Sequence, residues 1–318
     1  MASASQRLPT DSRAVWELSD RLGLAADVRR LNDVIGAWAQ GTNAEVRPLV
    51  ERQLAGRAKR YRPATVFACY RASAKGPPTD EVVQSAAAIE LLHNVALIVD
   101  DILDRSRYRR GMLSLHCRFG FLPALMTSGY IGFAAPALVA DDPYSVQLLS
   151  ELMQRLGVAE CVQWRLRRRP LGVEDWRAIA GEDTGSMFET CARLGSRDDR
   201  LAKFGELLGL LYHGCDDVAD VRGTAALGGG SEKDIADGIL TLPAAIAIRD
   251  PEAAVLFERG DADAIERFAE RLLYSLDEAE DYLDAIAADA EREARDHVRS
   301  PDRLLELVAY TRELSRAV

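Results

Sequence analysis

An all-α fold is predicted by three observations. Apolar residues recur every three or four positions along nearly all of the 318-residue chain, strand-like alternation is almost absent, and Gly or Pro clusters fall between the periodic segments. The elements follow in order. Within GRAKRYRPAT, Pro63 is suited to the first turn of a helix, because its ring fixes φ and its missing N–H has no helical partner there. In GPPTDE at 76–81, Thr79 is a helix cap with Asp80 and Glu81 in the first turn, and the pattern beyond it predicts a helix of 20 or more residues over 79–105. A second long helix is predicted over 198–221. At 299–303, RSPDR places Ser300 as a cap and Pro301 as the first residue of a last helix. The one low-complexity loop is LGGGSEKD at 227–234, and no composition shift marks a boundary, so residues 1–318 are expected to form a single helical domain.

Composition narrows the function. A formal charge of −10 disfavours nucleic acid, whose phosphates need a basic face. Cys69, Cys117, Cys161, Cys191 and Cys215 are scattered, odd in number and without zinc spacing, as expected of reduced thiols in a cytoplasmic protein. The start lacks the apolar core of a signal peptide, and YIGFAAPALVA is too short to span a bilayer, so no membrane span is expected.

One pattern recurs: DDILD at 100–104 and DDVAD at 216–220. On a helix, i and i+4 share a face and i+1 lies close by, so Asp100, Asp101 and Asp104 converge, as do Asp216, Asp217 and Asp220. Both triplets end long apolar helices, where the helix dipole is already negative and a positive partner is needed. Carboxylates without histidine or thiolate are hard oxygen ligands suited to Mg²⁺, which keeps waters and bridges to substrate phosphates. A solvated helix end would account for one such triplet as well. Two copies, each led by an apolar helix, favour the metal site.

Arg105, Arg107, Arg109 and Arg110 follow the first triplet at once, and guanidinium suits bidentate phosphate contacts. Acid and base adjoin because a metal-bound diphosphate needs both. Lys59 and Arg62, beside a helix N-terminus, make a second anion site, with a plain surface loop as the alternative. His93 lies two turns before Asp100 on nearly the same face. It is either a satisfied core histidine or a polar group of the site. The run Arg165, Arg167, Arg168, Arg169 reads as a solvated helix end stopped by Pro170, although one of its members is able to reach the site.

Taken together, AKRYRP, ELLH, DDILD, RRG followed by His116, DDVAD and DIADGILTLP resemble the trans-isoprenyl diphosphate synthases, the polyprenyl synthetase family, over about residues 50–245. The resemblance implies an isoprenoid-synthase-type helical bundle around a central cavity, and usually a homodimer. It implies that the two triplets hold three Mg²⁺ on an allylic diphosphate. Lys59, Arg62, His93 and Arg110 match positions that bind isopentenyl diphosphate, and Arg109 matches one on the allylic diphosphate. It also implies that the leaving diphosphate removes the proton, so that no protein base is needed.

This chain departs from the family pattern on the allylic side. The family's Lys-Thr pair reads Asp183-Thr184, and its Gly-Lys reads Gly238-Ile239, so two cations are absent. Phe-Gln reads Tyr212-His213, Pro-Thr after RRG reads Leu113-Ser114, and Gly-Asp reads Ser128-Gly129. Thr184, and His213 if protonated, remain as candidates for the allylic diphosphate. Three functions are therefore weighed: head-to-tail elongation; a repurposed enzyme that cyclises the allylic diphosphate or passes it to another acceptor; and a non-catalytic subunit of a heteromeric synthase. Retention of the isopentenyl set argues against the second, and two whole triplets argue against the third.

In the family, residues one turn before the first aspartate form the floor of the tail pocket. Here these are Val95 and Ala96, with Leu92 a turn deeper, and none is aromatic. Each isoprene unit adds about 4–5 Å, roughly three residues of helix rise, so C20 or longer is expected. The alternative is that all three are simply core.

Overall fold

The computed structural model describes residues 18–55, 59–223 and 231–316, with side chains of 231–233 left aside. The expected start of the glycine-rich loop, 227–230, and residues 56–58 of the basic segment lie outside these. Helices α1 (Ala25–Gly41) and α2 (Arg47–Leu54) lead into α3 (Tyr61–Ser73) and the 24-residue α4 (Asp80–Leu103). Thr79 caps α4 as expected, its Oγ1 accepting from Val82 N–H at 3.4 Å. The start of α3 is earlier than expected. Arg60 takes a left-handed conformation, φ 52°, just ahead of it, and Pro63 falls third in the helix, where an N–H would also lack a partner.

After α4 the chain makes the one β-hairpin among the described residues, β1 (Tyr108–Arg109) against β2 (Met112–Leu113), in the register Tyr108↔Leu113 and Arg109↔Met112. Its loop residues Arg110 and Gly111 both have positive φ, 52° and 76°, as in the two-residue turns that match strand twist. Short α5 (Leu115–Phe119) and then α6 (Phe121–Ala137), α7 (Pro143–Leu166) and α8 (Val173–Ala180) follow. A π-helical turn, Gly181–Gly185, carries the chain into α9 (Ser186–Ser196) and α10 (Ala202–Arg222). The rest is α11 (Ser231–Asp237), α12 (Leu242–Ala247), α13 (Pro251–Arg259), α14 (Ala262–Tyr274), α15 (Leu276–His297) and α16 (Asp302–Arg316). The last helix starts one residue later than expected, with the Pro301 carbonyl accepting from Leu305 N–H at 2.9 Å.

Apart from the hairpin, every regular element among the described residues is a helix, in agreement with the all-α expectation. Helix α10 runs through the middle of the bundle, against α9, α15, α16 and the π turn, while α3 packs on α9 and α4 on α6. Close approach to the π turn depends on a missing side chain. A Cβ on Gly209 would lie 2.7 Å from the Thr184 carbonyl oxygen and from Gly185 Cα, so larger residues would push the second triplet's helix away. By length and composition α4 is apolar enough to cross a bilayer, yet 72% of its most apolar window is buried in the bundle, as befits a core helix.

Candidate active site

The first triplet closes α4. Asp100 and Asp101 lie in its last turn and Asp104 is the residue after it. The hairpin then folds Arg109 back onto Asp101, with Nε donating to Oδ1 at 2.9 Å and Nη2 at 2.7 Å. Burial holds the Asp100 carboxyl well above the usual carboxylate range, and the charges of Glu160 and Asp183 push the same way. Burial raises Asp101 too, against the opposing pull of Arg109.

The second triplet lies in the last two turns of α10. Oδ2 of Asp217 accepts two N–H groups at 2.8 Å, one from the Trp176 indole and one from the Leu242 backbone. Asp220 Oδ1 is buried without a hydrogen-bond partner among the described residues. Burial, then the Asp220 and Asp217 charges, push Asp216 up to about 7, and burial with Asp217 pushes Asp220 up to about 6. Asp234 is lifted to about 7 by burial and then by Asp217, Asp220 and Asp104. Asp234 therefore feels both triplets, which border one cleft. Burial is the first cause of each raised value and neighbouring carboxylates the second. Among the described residues no three such groups are close enough to enclose an ion unaided. The donor set is nonetheless all oxygen, which suits a hard divalent cation that keeps waters and substrate oxygens in its shell.

On the other side, positive charge gathers. Arg62 Nη1 donates to His93 Nε2 at 3.1 Å, its Nε points at Met187 Sδ, and its guanidinium lies 5.4 Å over the Phe188 ring. Because a guanidinium cannot accept, His93 Nε2 is the acceptor and the imidazole is neutral. Burial lowers the His93 pKa well below its usual value, and Arg62, Arg110, Arg109 and Arg60 lower it further. Arg110 is depressed by burial as well, with Glu90 opposing. Glu90 is already committed to Arg60, at 2.6 Å. The pocket is thus cationic overall. Lys59 is half-buried at the head of the same segment.

Thr184 and His213 come together across the π turn, with Oγ1 to Nδ1 at 2.9 Å. Burial alone would lower the His213 pKa, but Asp217, Asp183, Asp216 and Asp234 raise it overall. The expected tail floor lies on α4 as read: Leu92 and Val95 are buried and Ala96 is half-buried. Val95 faces α6, since a Cβ on Gly132 would meet its Cγ2 at 3.8 Å.

Three residues of the cleft escaped sequence reasoning, and a fourth, Arg167, is the member of its arginine run that reaches the cleft. Glu160, on α7 and in no motif, has its carboxyl pushed up to about 7 by burial, Asp183 and Asp104. Trp176 reads as an ordinary core aromatic. Asp234 lies in the quoted DIADG segment and was findable there. Arg167 corrects the reading of its run as a solvated helix end: Arg165 and Arg169 are exposed, but Arg167 turns in to within 4.0 Å of Asp104.

The polyprenyl synthetase family model matches residues 44–269. The chain is similar to nonaprenyl diphosphate synthase of Mycobacterium tuberculosis, 29% identical over 277 residues that cover 80% of this chain and 82% of that one. It is 26% identical over 221 residues to geranylgeranyl diphosphate synthase of Methanosarcina mazei, covering 64% and 68%. Its fold matches polyprenyl synthase from Caulobacter crescentus, solved with calcium and isoprenyl diphosphate, at TM-score 0.84 and 24% identity over 98% of this chain and 100% of that one.

Proposed function

The chain belongs to the polyprenyl synthetase family and is a prenyltransferase, and from that premise we propose that it condenses an allylic diphosphate with isopentenyl diphosphate head-to-tail. The product is an all-trans polyprenyl diphosphate of C20 or longer. One observation carries the reading: Asp234 lies near enough to feel the charges of both acidic triplets, and beside them Arg62, Arg110, Arg109 and Arg60 gather around His93.

Asp100, Asp101, Asp104, Asp216, Asp217 and Asp220 fit a divalent cation, the family being metal-dependent. The orphaned Asp220 Oδ1 and the mutually raised carboxyls support that fit. We take the ion to be Mg²⁺, three per site once diphosphate binds. Bound ions supply the charge neutralisation that the departing diphosphate needs. Trp176 and the Leu242 N–H orient Asp217, and Arg109, held on Asp101, stands ready for a phosphate oxygen. Thr184 and His213 offer further donors on the same side.

Lys59, Arg62, neutral His93 and Arg110 hold the diphosphate of isopentenyl diphosphate. The allylic C–O bond breaks, its electron pair leaving with diphosphate. The isopentenyl double bond attacks the allylic carbon, and the leaving diphosphate takes the proton. Leu92, Val95 and Ala96 line the tail's path without an aromatic stop, which supports the longer product.

A homodimer is supported by the outer face of α6, where Phe121, Leu122, Met126 and Phe133 are exposed, Phe133 at 86%. Phe133→Glu should give monomer in sedimentation velocity where the native chain gives dimer; an unchanged sedimentation coefficient would remove this face from the interface.

The test of the reaction is product analysis by mass spectrometry, with Mg²⁺, isopentenyl diphosphate and each of dimethylallyl, geranyl, farnesyl and geranylgeranyl diphosphate. Elongated diphosphates of C20 or more are expected. Hydrocarbons or alcohols, or products stopping at C15, would refute the assignment.

A further inference from the structure

The end of α7 reads WRLRRRP, and three of its residues, Trp164, Arg167 and Arg168, build an arm that reaches the first triplet. The helix stops at Leu166, Arg167 is extended at φ −51° and ψ 139°, and Arg168 turns left-handed at φ 61°. A left-handed arginine is unfavourable and persists only where its surroundings enforce it. They do. Arg168 N–H donates to the Gly238 carbonyl at 2.9 Å, its Nη1 to Phe257 O at 3.2 Å, and its Nη2 to Ala236 O. Two glycines make the space: a Cβ on Gly238 would lie 2.7 Å from Arg168 Cγ, and one on Gly260 2.3 Å from its Cζ. Arg168 is a structural bolt, and what it aims is Arg167.

The Arg167 guanidinium lies 4.4 Å over the Trp164 ring, a cation–π contact that favours this placement of the side chain. Its Nη2 is 4.0 Å from Asp104 Oδ1, beyond hydrogen-bond reach, and its Nε is buried without a hydrogen-bond partner among the described residues. A buried guanidinium donor left uncommitted is unfavourable until an acceptor arrives, and a planar fork of donors suits a phosphate group. The position selects which phosphate. Arg167 acts on Glu160, on the carboxylate side of the cleft, whereas the charges acting most strongly on His93 are Arg62, Arg110, Arg109 and Arg60. Arg109 is bonded to Asp101, so Arg109 and Arg167 bracket the first triplet.

We propose that Arg167, aimed by Arg168 and the Trp164 ring, is a substrate-binding residue that takes the diphosphate of the allylic substrate at Asp104. The proposal rests on the prenyltransferase reading above. It deepens that reading by supplying, from a loop, a cation for a side of the cleft where Asp183 adds negative charge.

The experiment compares native protein with Arg167→Gln, Arg167→Lys and, as a control of equal charge change, the exposed Arg165→Gln. Steady-state kinetics give separate KM values for farnesyl and isopentenyl diphosphate, and calorimetry gives the Kd of inorganic diphosphate with Mg²⁺. For R167Q the farnesyl diphosphate KM and the diphosphate Kd should rise on the order of tenfold to a hundredfold, the loss of one charged hydrogen-bonding group. The isopentenyl KM should stay within about twofold. R167K should recover part of the loss, and R165Q should match native protein. Unchanged values in R167Q, equal loss for both substrates with a lowered Tm, or the same loss in R165Q would overturn the proposal. If native protein makes no elongated product, the synthase reading fails, while the diphosphate Kd of R167Q against native still decides whether Arg167 binds diphosphate.

Discussion

Trp176→Phe probes how the second triplet is held. Trp176 is 1% exposed, and its indole N–H is one of two donors on Asp217 Oδ2, both at 2.8 Å. Phenylalanine keeps an aromatic ring in the core and removes one donor. A hydrogen bond to a charged group contributes about 1.5–3 kcal/mol, or roughly a tenfold to hundredfold effect on an equilibrium that depends wholly on it. Part of that is lost in the ion-free protein as well, so the low end applies to metal binding. The carboxyl, already raised by burial, also loses a group that lowers it, and protons compete better for the ligand. The Mg²⁺ concentration for half-maximal rate should therefore rise about tenfold, in line with other outer-shell changes at metal sites. The lost packing should destabilise the fold by about 1–3 kcal/mol. Steady-state rates across a Mg²⁺ titration, at saturating substrates, measure the first effect, and thermal melting measures the second. A lowered Tm with an unchanged Mg²⁺ midpoint would refute the argument, because it would make Trp176 a packing residue only.

Arg62→Ala removes the donor to His93 and part of the cationic pocket; KM for isopentenyl diphosphate should rise on the order of a hundredfold with the allylic KM little changed, and a matched rise in both would contradict the separation of the two pockets. The pH dependence has a definite sign. Asp216 and Asp234 are raised to about 7, Glu160 to about 7 and Asp220 to about 6, so the stability they favour in protonated form is complete below the unfolded carboxyl range and is lost as pH rises towards 7. Mg²⁺ with inorganic diphosphate binds the ionised form, so its gain in Tm should be larger at pH 8 than at pH 6; equal gains would contradict the assignment of Asp216 and Asp220 to the metal. Val95→Phe places a ring on the buried α4 position facing Gly132, which should shorten the product, and an unchanged product spectrum would remove this floor from the pocket.

Both triplets were legible as helix-end clusters because i, i+1 and i+4 lie on one side of a helix; how tightly they gather was not, since Asp101 turns to Arg109 and Asp217 to Trp176 and the Leu242 N–H. Thr79 was legible because its chemistry is local, a short side chain bonding three residues on. The arginines were legible as a group but not one by one. Which of them meets Asp101 depends on the turn at Arg110-Gly111, and a hairpin of two-residue strands leaves no alternation to detect. The start of α3 was misread because proline is tolerated throughout a first turn, and Pro63 proved third rather than first. Glu160, Trp176 and Arg167 are set by tertiary contacts. The conformation of Arg168 that aims Arg167 depends on Gly238 and Gly260, far along the chain, and no local pattern encodes that dependence.

The most direct test of the central claim is the release of inorganic diphosphate from farnesyl diphosphate with Mg²⁺, with and without isopentenyl diphosphate. Head-to-tail condensation predicts release that requires isopentenyl diphosphate and matches, mole for mole, the isopentenyl units added. Release at the same rate without it would mean that this cleft ionises its allylic substrate for another reaction, and the account would fail.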